Sequence, residues 1–264
     1  VVSKLTGERP VEDVTPDGLL ALHAAGYRAV RDRLGAGRLL DVGCGEGFES
    51  ATLGAEDRPV VGVDYDPGAA SRAARRRPPV GASLVVACSD AQRLCLATGS
   101  FAWVCSSHLI EHFEQPAAHA AEVARVLADD GTAFFVTPNE PADFENPFHI
   151  HLFRRQELEE LLGRYFHDVE VLGLDAVDRV KDDFARRRQK AQRILALDVL
   201  DLRHRLPRSW YIAAYTRVLP LAYRLMARGT TGGASGITAD DFFVTEQIDD
   251  TTLVLLAVAR RPRR

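Results

Sequence analysis

The chain has 264 residues, 46% of them hydrophobic, and a formal net charge of −4. That is apolar material for one substantial core, and no run approaches the roughly 18 uninterrupted apolar residues of a membrane helix. Cys44, Cys88, Cys95 and Cys105 lack CxxC spacing, so a disulfide framework is not expected and reduced core thiols are. The N-terminal stretch VVSKLTGERP has no secretory pattern, which makes a cytoplasmic location the expectation.

The predicted elements follow in order. Asp17 to Leu34 has helical spacing, with Thr15-Pro16 as its start. Arg38 to Val42 is an apolar strand that runs into a glycine cluster. Pro59 to Asp64 is a second strand, and Asp66-Pro67 opens a helix through Arg77. Strands follow at Ser83 to Ala87 and Phe101 to Ser106. A helix spans Pro116 to Asp129 and a strand Thr132 to Thr137. A helix from Arg154-Arg155 to Gly163 leads to a strand at Asp168 to Leu172, and the last strand is Thr251 to Ala259. Alternating strands and helices predict an α/β fold, a mostly parallel seven-stranded sheet with helices on both faces.

About 75 residues separate the last two predicted strands, too many for a loop. Their helical pattern makes them an insertion, and Gly229 to Gly236 is a glycine-rich linker back to the sheet. The predicted organisation is a core at 1–175, a helical insertion at 176–238 and the closing strand region at 239–264. Between Ala176 and Thr230 thirteen Lys/Arg face five Asp, a net of +8 that leaves −12 for the rest. Such asymmetry fits contact with an anionic partner, and equally fits docking on the acidic body of the fold or on a second copy in a homodimer. Within the insertion, Ile194, Leu195, Leu197, Val199, Leu200 and Leu202 form an apolar surface, buried or facing a dimer partner. Trp210, Tyr211, Tyr215 and Tyr223 read as core or as a platform for sugar rings.

Leu39 to Ser50 reads LLDVGCGEGFES. Gly43 and Gly45 let a strand-to-helix turn approach a ligand closely, and Gly47 opens the next helix. A nicotinamide site would place a pyrophosphate at this helix start. Asp41 before the glycines and Glu46 among them would repel one, and they suit a cationic ligand without phosphates.

With that, the stretch resembles motif I of the class I S-adenosylmethionine-dependent methyltransferases. VVGVDYDP, at 60–67, is similar to that family's second motif, Cys88-Ser89-Asp90-Ala91 to the third and FAWVCSSHLIEHF to the fourth. The resemblance covers Leu39 to about Phe166. It implies S-adenosyl-L-methionine as cofactor, with Asp41 near the methionine ammonium and Gly43 and Gly45 lining methionine and ribose. By the same resemblance Asp64 accepts both ribose hydroxyls, Tyr65 packs on the adenine, and Asp90 and the Ala91 N–H take the adenine edge. Ser106 would offer backbone polarity to the methionine end.

The acceptor side is rich in histidine. His108, Glu111 and His112 share a face if a helix begins there, and that donor set can chelate a divalent ion. Farther on come His149 and His151, whose rings lie on one side if the segment is a strand. The pattern resembles the Glu-x-x-Glu-His metal motif of ubiquinone-pathway O-methyltransferases and small-RNA 2′-O-methyltransferases. In the RNA enzymes a later histidine, after Thr-Pro-Asn, joins the metal. This chain matches at Glu111, His112 and Thr137-Pro138-Asn139 and has His108 in place of the glutamate. The metal set so implied is His108, Glu111, His112 and His149, holding Mg2+ or Mn2+. The alternative is metal-free: the Glu-His pair orients the cofactor loop, and His149 and His151 line the acceptor pocket, one as general base.

His108, His112, His149 and His151 are thus the candidate catalytic residues, and their number favours oxygen as the methylated atom. The N-terminal segment is similar to that of actinobacterial methyltransferases linked to sugar and polysaccharide methylation. That implies a saccharide hydroxyl as acceptor, within reach of Asp13, His23 and Tyr27 if the first helix lids the pocket. The further readings are a phenolic or polyketide-like metabolite, an RNA 2′-hydroxyl without a recognised RNA-binding module, and a non-catalytic cofactor-binding protein.

Overall fold

The computed structural model describes residues 15–143, 148–195 and 236–264. Helix α1 (Asp17–Arg31) precedes β1 (Leu39–Val42), α2 (Phe48–Leu53), β2 (Val60–Asp64), α3 (Pro67–Ala73) and β3 (Leu84–Cys88). Then come β4 (Phe101–Ser107), α4 (Pro116–Val126), β5 (Leu127–Pro138), α5 (Arg155–Leu162), β6 (Phe166–Ala176), α6 (Asp178–Leu195), β7 (Phe242–Thr245) and β8 (Val254–Pro262).

The eight strands form one sheet in the order β3-β2-β1-β4-β5-β8-β6-β7. From β3 to β5 every neighbouring pair is parallel; from β5 outward β8, β6 and β7 pair antiparallel. The sheet is therefore mixed and has one strand more than the seven expected. The extra strand is β7, whose Phe242–Thr245 pairs with Gly173–Ala176 at the edge. Four residues after an acidic pair give too short a period-two signal to read as a strand.

Apolar residues fill both faces. Val123, Leu158, Leu162 and Phe135 belong to the layer under α4 and α5, and Leu22, Val30, Val180 and Phe134 to the layer under α1 and α6. Successive phenylalanines on β5 serve opposite layers because strand side chains alternate. Strand β5 starts at Leu127, since Phe101 pairs with Leu127 before a register shift carries Trp103 onto Thr132. The predicted stop at Asp130-Gly131 is absorbed by that irregularity. Helix α3 ends at Ala73, earlier than the expected Arg77. Its start is as expected: the Asp66 carboxylate accepts from the Ala69 N–H at 2.6 Å. At α1 the capping position falls on Pro16 and not on Thr15, and Asp17 supplies the acidic first turn.

All four cysteines are free thiols; Cys44 and Cys105 are buried, while Cys88 and Cys95 are exposed and so not core. No helix among the described residues is long and apolar enough to cross a membrane. Residues 196–235 lie outside the described set. So do Asp13, the aromatic cluster at 210–223, most of the basic insertion and the glycine-rich linker up to 235.

Candidate cofactor and acceptor site

The C-terminal ends of the parallel strands bring the glycine loop, Asp64, the Ser89–Ala91 turn and the end of β4 to one edge of the sheet. Gly43, Gly45 and Gly47 all have positive φ, at 77°, 54° and 73°. A Cβ on Gly43 would sit 2.9 Å from the Leu109 side chain. Gly45 donates its N–H to Asp64 Oδ2 at 2.9 Å, and Asp64 Oδ1 accepts from the Asp66 N–H at 2.9 Å. The Asp64 carboxylate is thereby fixed at the mouth of the glycine turn.

Asp41 lies beneath the loop and is wholly buried. Ser50 Oγ donates to it at 2.5 Å and the Tyr27 hydroxyl at 3.3 Å. Burial lifts its pKa to about 6, with the bonds from Ser50 and Tyr27 opposing the rise. Glu46 lines the cavity and pairs with Arg72 at 2.9 Å. Its charge is answered within the protein, so the case against a pyrophosphate loses that acid.

Tyr65 is exposed, at 58%, just past Asp64. Asp90 accepts from the Gln92 N–H at 2.9 Å, and Ala91 is buried beside it. The Ala91 carbonyl meets Nδ1 of His119 at 3.0 Å, and His119 Nε2 meets Ser106 Oγ at 2.9 Å. His119 is a residue that sequence reading passes over, because a lone histidine on an amphipathic helix carries no motif.

A cavity of about 380 Å³ opens between α1, the glycine loop, the end of β4 and residues 237–239. His23, Tyr27, Ser107 and His108 are among its lining. Ser107 Oγ and His108 Nε2 are buried there without a hydrogen-bond partner. Buried polar atoms in proteins usually have a partner, a protein group or an ordered water. The His23 and His108 rings are in contact, tilted by 42° with centroids 4.1 Å apart. Burial pushes the His23 pKa well below its ordinary value, and His108 adds to the shift.

Behind this wall, Glu111, His112 and His149 place one ligand atom each within 4.8 Å of one another. Each is held from outside. Thr137 Oγ1 donates to Glu111 Oε2 at 3.0 Å, His112 Nδ1 faces the Phe148 carbonyl at 2.9 Å, and His149 Nδ1 faces Asp143 Oδ2 at 2.9 Å. Glu111 Oε1 is buried with no hydrogen bond and lies 3.5 Å from His108 Nδ1. Burial would raise the Glu111 pKa, but His108, followed by His112 and His149, brings it down to about 2. The His149 pKa is raised: burial acts downward, and the bond to Asp143 outweighs it.

Residues 40–135 match the family model of a methyltransferase domain. A "probable S-adenosylmethionine-dependent methyltransferase" of Mycobacterium tuberculosis is 32% identical over 193 residues, which are 70% of this chain and 69% of that protein. The chain is a class I S-adenosylmethionine-dependent methyltransferase. The demethylmenaquinone methyltransferase of Beutenbergia cavernae is 35% identical over 133 residues, 48% of this chain and 54% of that one. The solved structure of a "possible histamine N-methyltransferase" from Thermotoga maritima superposes with a TM-score of 0.58. It covers 92% of this chain and 91% of its own, at 14% identity, and shows the shared fold.

Within this methyltransferase the expected residues divide. Gly43, Gly45, Asp64, Asp90, Ala91 and Ser106 gather at the strand ends, as does Asp41, although its carboxylate is occupied from within. Of the expected metal set, Glu111, His112 and His149 converge, while His108 contacts Glu111 at 3.5 Å without joining the three-residue group. The helix assumed for His108–His112 is only a short turn over Ile110–His112, and His108 precedes it at φ 50°. His151 leaves the group: its Nε2 contacts Glu157 Oε1 at 2.8 Å and its ring packs on Phe153. The segment is not a strand, since the N–H groups of Ile150 and His151 both turn onto the Glu111 carbonyl, and the rings diverge. Asp143 is a further residue the sequence did not single out; six positions before His149 it was one acid among several.

Proposed function

We propose that this methyltransferase acts on a hydroxyl oxygen of a small polar acceptor, a sugar or oligosaccharide, with a divalent metal held by Glu111, His112 and His149. The convergence of those three donors beside the cavity carries the reading. The donor set fits a metal. Glu111 Oε1 is an orphaned buried oxygen, and all three side chains have the outer partners that orient metal ligands. Two imidazoles and one carboxylate favour Mn2+ or a later transition ion over Mg2+. A metal there would lower the pKa of a hydroxyl at an open position.

When bound, the cofactor supplies an electrophilic methyl group on a sulfonium that becomes neutral on transfer. The protein must then align the acceptor and take its proton. We assign the second task to His108, which lines the cavity. Its Nδ1 lies 3.5 Å from Glu111 Oε1, which leaves Nε2 as the ring nitrogen that could take a proton. Asp17, Glu49 and Thr238 add polar groups to the lining, which suits a polyhydroxyl ligand. Ile237, Thr238 and Ala239, where the chain returns to the sheet, line the same cavity.

The test is incubation with labelled methyl donor and pooled saccharides, phenols and RNA. Label on a saccharide hydroxyl is the expected result. Label in the phenol pool would favour a phenolic or polyketide-like acceptor. Cofactor binding with no transfer to any pool would leave a binding protein. Calorimetric titration with Mn2+ tests the metal apart from activity. Binding is expected in the wild type and in His151→Ala and should be lost in His149→Ala; equal binding in both variants would remove the metal.

A further inference from the structure

His119 is wholly buried on α4, its ring between those of Phe113 and Phe135 at centroid distances of 5.0 and 6.0 Å. A carbonyl can only accept, so the contact with Ala91 O places a hydrogen on Nδ1. Nε2 is then the acceptor for the Ser106 hydroxyl. One neutral imidazole thus closes a bridge between the turn after β3 and the end of β4. Burial drives its pKa down to about 4, which keeps that tautomer intact at neutral pH.

The bridge matters because of the strand order. β3 and β4 are separated by β2 and β1, so no ladder of hydrogen bonds sets one against the other. Helix α4 also holds the segment after Ala91 through Glu122 to the Leu94 N–H and through Arg125 to the Leu94 and Leu96 carbonyls. Those bonds fix the turn to the helix. Among the described residues in this group, His119 is the one that also reaches Ser106 on the sheet.

We propose that His119 is a positioning residue that sets the spacing between the two ends of the cofactor site, the Asp90–Ala91 turn and the Ser106 end of β4. The proposal rests on the reading of those two places as the adenine and methionine ends. A purely structural histidine would support the fold without distinguishing a ligand that spans both ends from one that occupies a single end.

Calorimetric titration with S-adenosylhomocysteine and with adenosine separates the two roles. His119→Leu removes both bonds and should weaken S-adenosylhomocysteine about tenfold, the size of effect two modest hydrogen bonds provide. Adenosine, which touches one end, should lose about threefold or less. His119→Asn keeps a donor toward Ala91 and should recover part of the loss. Should His119→Leu yield no folded protein, Ser106→Ala carries the same test: weaker S-adenosylhomocysteine is expected, with adenosine little changed. Unchanged S-adenosylhomocysteine affinity, or equal weakening of both probes, overturns the proposal. A wild-type protein that binds neither probe removes the cofactor assignment, and this one with it.

Discussion

Asp41 carries a buried carboxylate at the end of β1, and its protonation is coupled to folding. Its folded pKa, about 6, stands above the 3.8 of an ordinary aspartate, so the folded state binds the proton more tightly. The resulting stability is fully present below the unfolded pKa and is lost as pH rises through 6. Asp41→Asn cannot titrate. The melting temperature of the variant relative to wild type should therefore rise between pH 4.5 and 7.5, by the equivalent of roughly 2–3 kcal/mol. A pH-independent difference would mean that Asp41 keeps an ordinary pKa. His108 shows another residue-scale feature: a non-glycine side chain at positive φ, where histidine is tolerated better than most residues. The turn directs its ring to Glu111 and the cavity.

At the scale of elements, the strand-to-helix turn from β1 into α2 is the most constrained. Gly47 caps α2 in the left-handed region, and a Cβ there would meet Ala73 Cβ at 2.8 Å and its Cα at 3.0 Å. The obstacle is helix α3 itself, which cannot move aside as a flexible side chain would. Gly47→Ala should cost about 1–3 kcal/mol in denaturant unfolding. Arg76, just past the end of α3, also reaches α2, its guanidinium lying 3.2 Å from the centre of the Phe48 ring. The geometry of the glycine loop thus depends on contacts with α3 and the residues just after it, remote in sequence.

Across the whole molecule, α1 is fastened to the returning chain after the insertion. Arg28 bonds Asp240 at 2.5 Å and donates to the carbonyls of Ala239 and Phe242 at 2.5 and 3.0 Å. Both fastened segments line the cavity, so the staple also closes one of its walls. Arg28→Ala should lower stability by about 1–2 kcal/mol and weaken S-adenosylhomocysteine binding, read by thermal melting and calorimetry. Loss of stability with unchanged binding would show that the wall can shift without consequence for the cofactor.

The order of strands and helices, the glycine turn and the acids at the strand ends were legible in the sequence. They are local: hydrophobic period, turn chemistry and residue type at short spacing decide them. The eighth strand was not, because an isolated Phe242–Thr245 is a strand only against β6. Nor could spacing separate His149 from His151; the Glu111 carbonyl captures the N–H groups of Ile150 and His151 and turns the rings apart. Asp143, Thr137 and His119 acquire their places from partners 6, 26 and 13 or more residues away. Sequence determined the family and its cofactor loop. Which histidines meet, which carboxylates are already occupied and what holds the two ends of the site together were decided by tertiary packing, since those contacts join residues no local pattern relates.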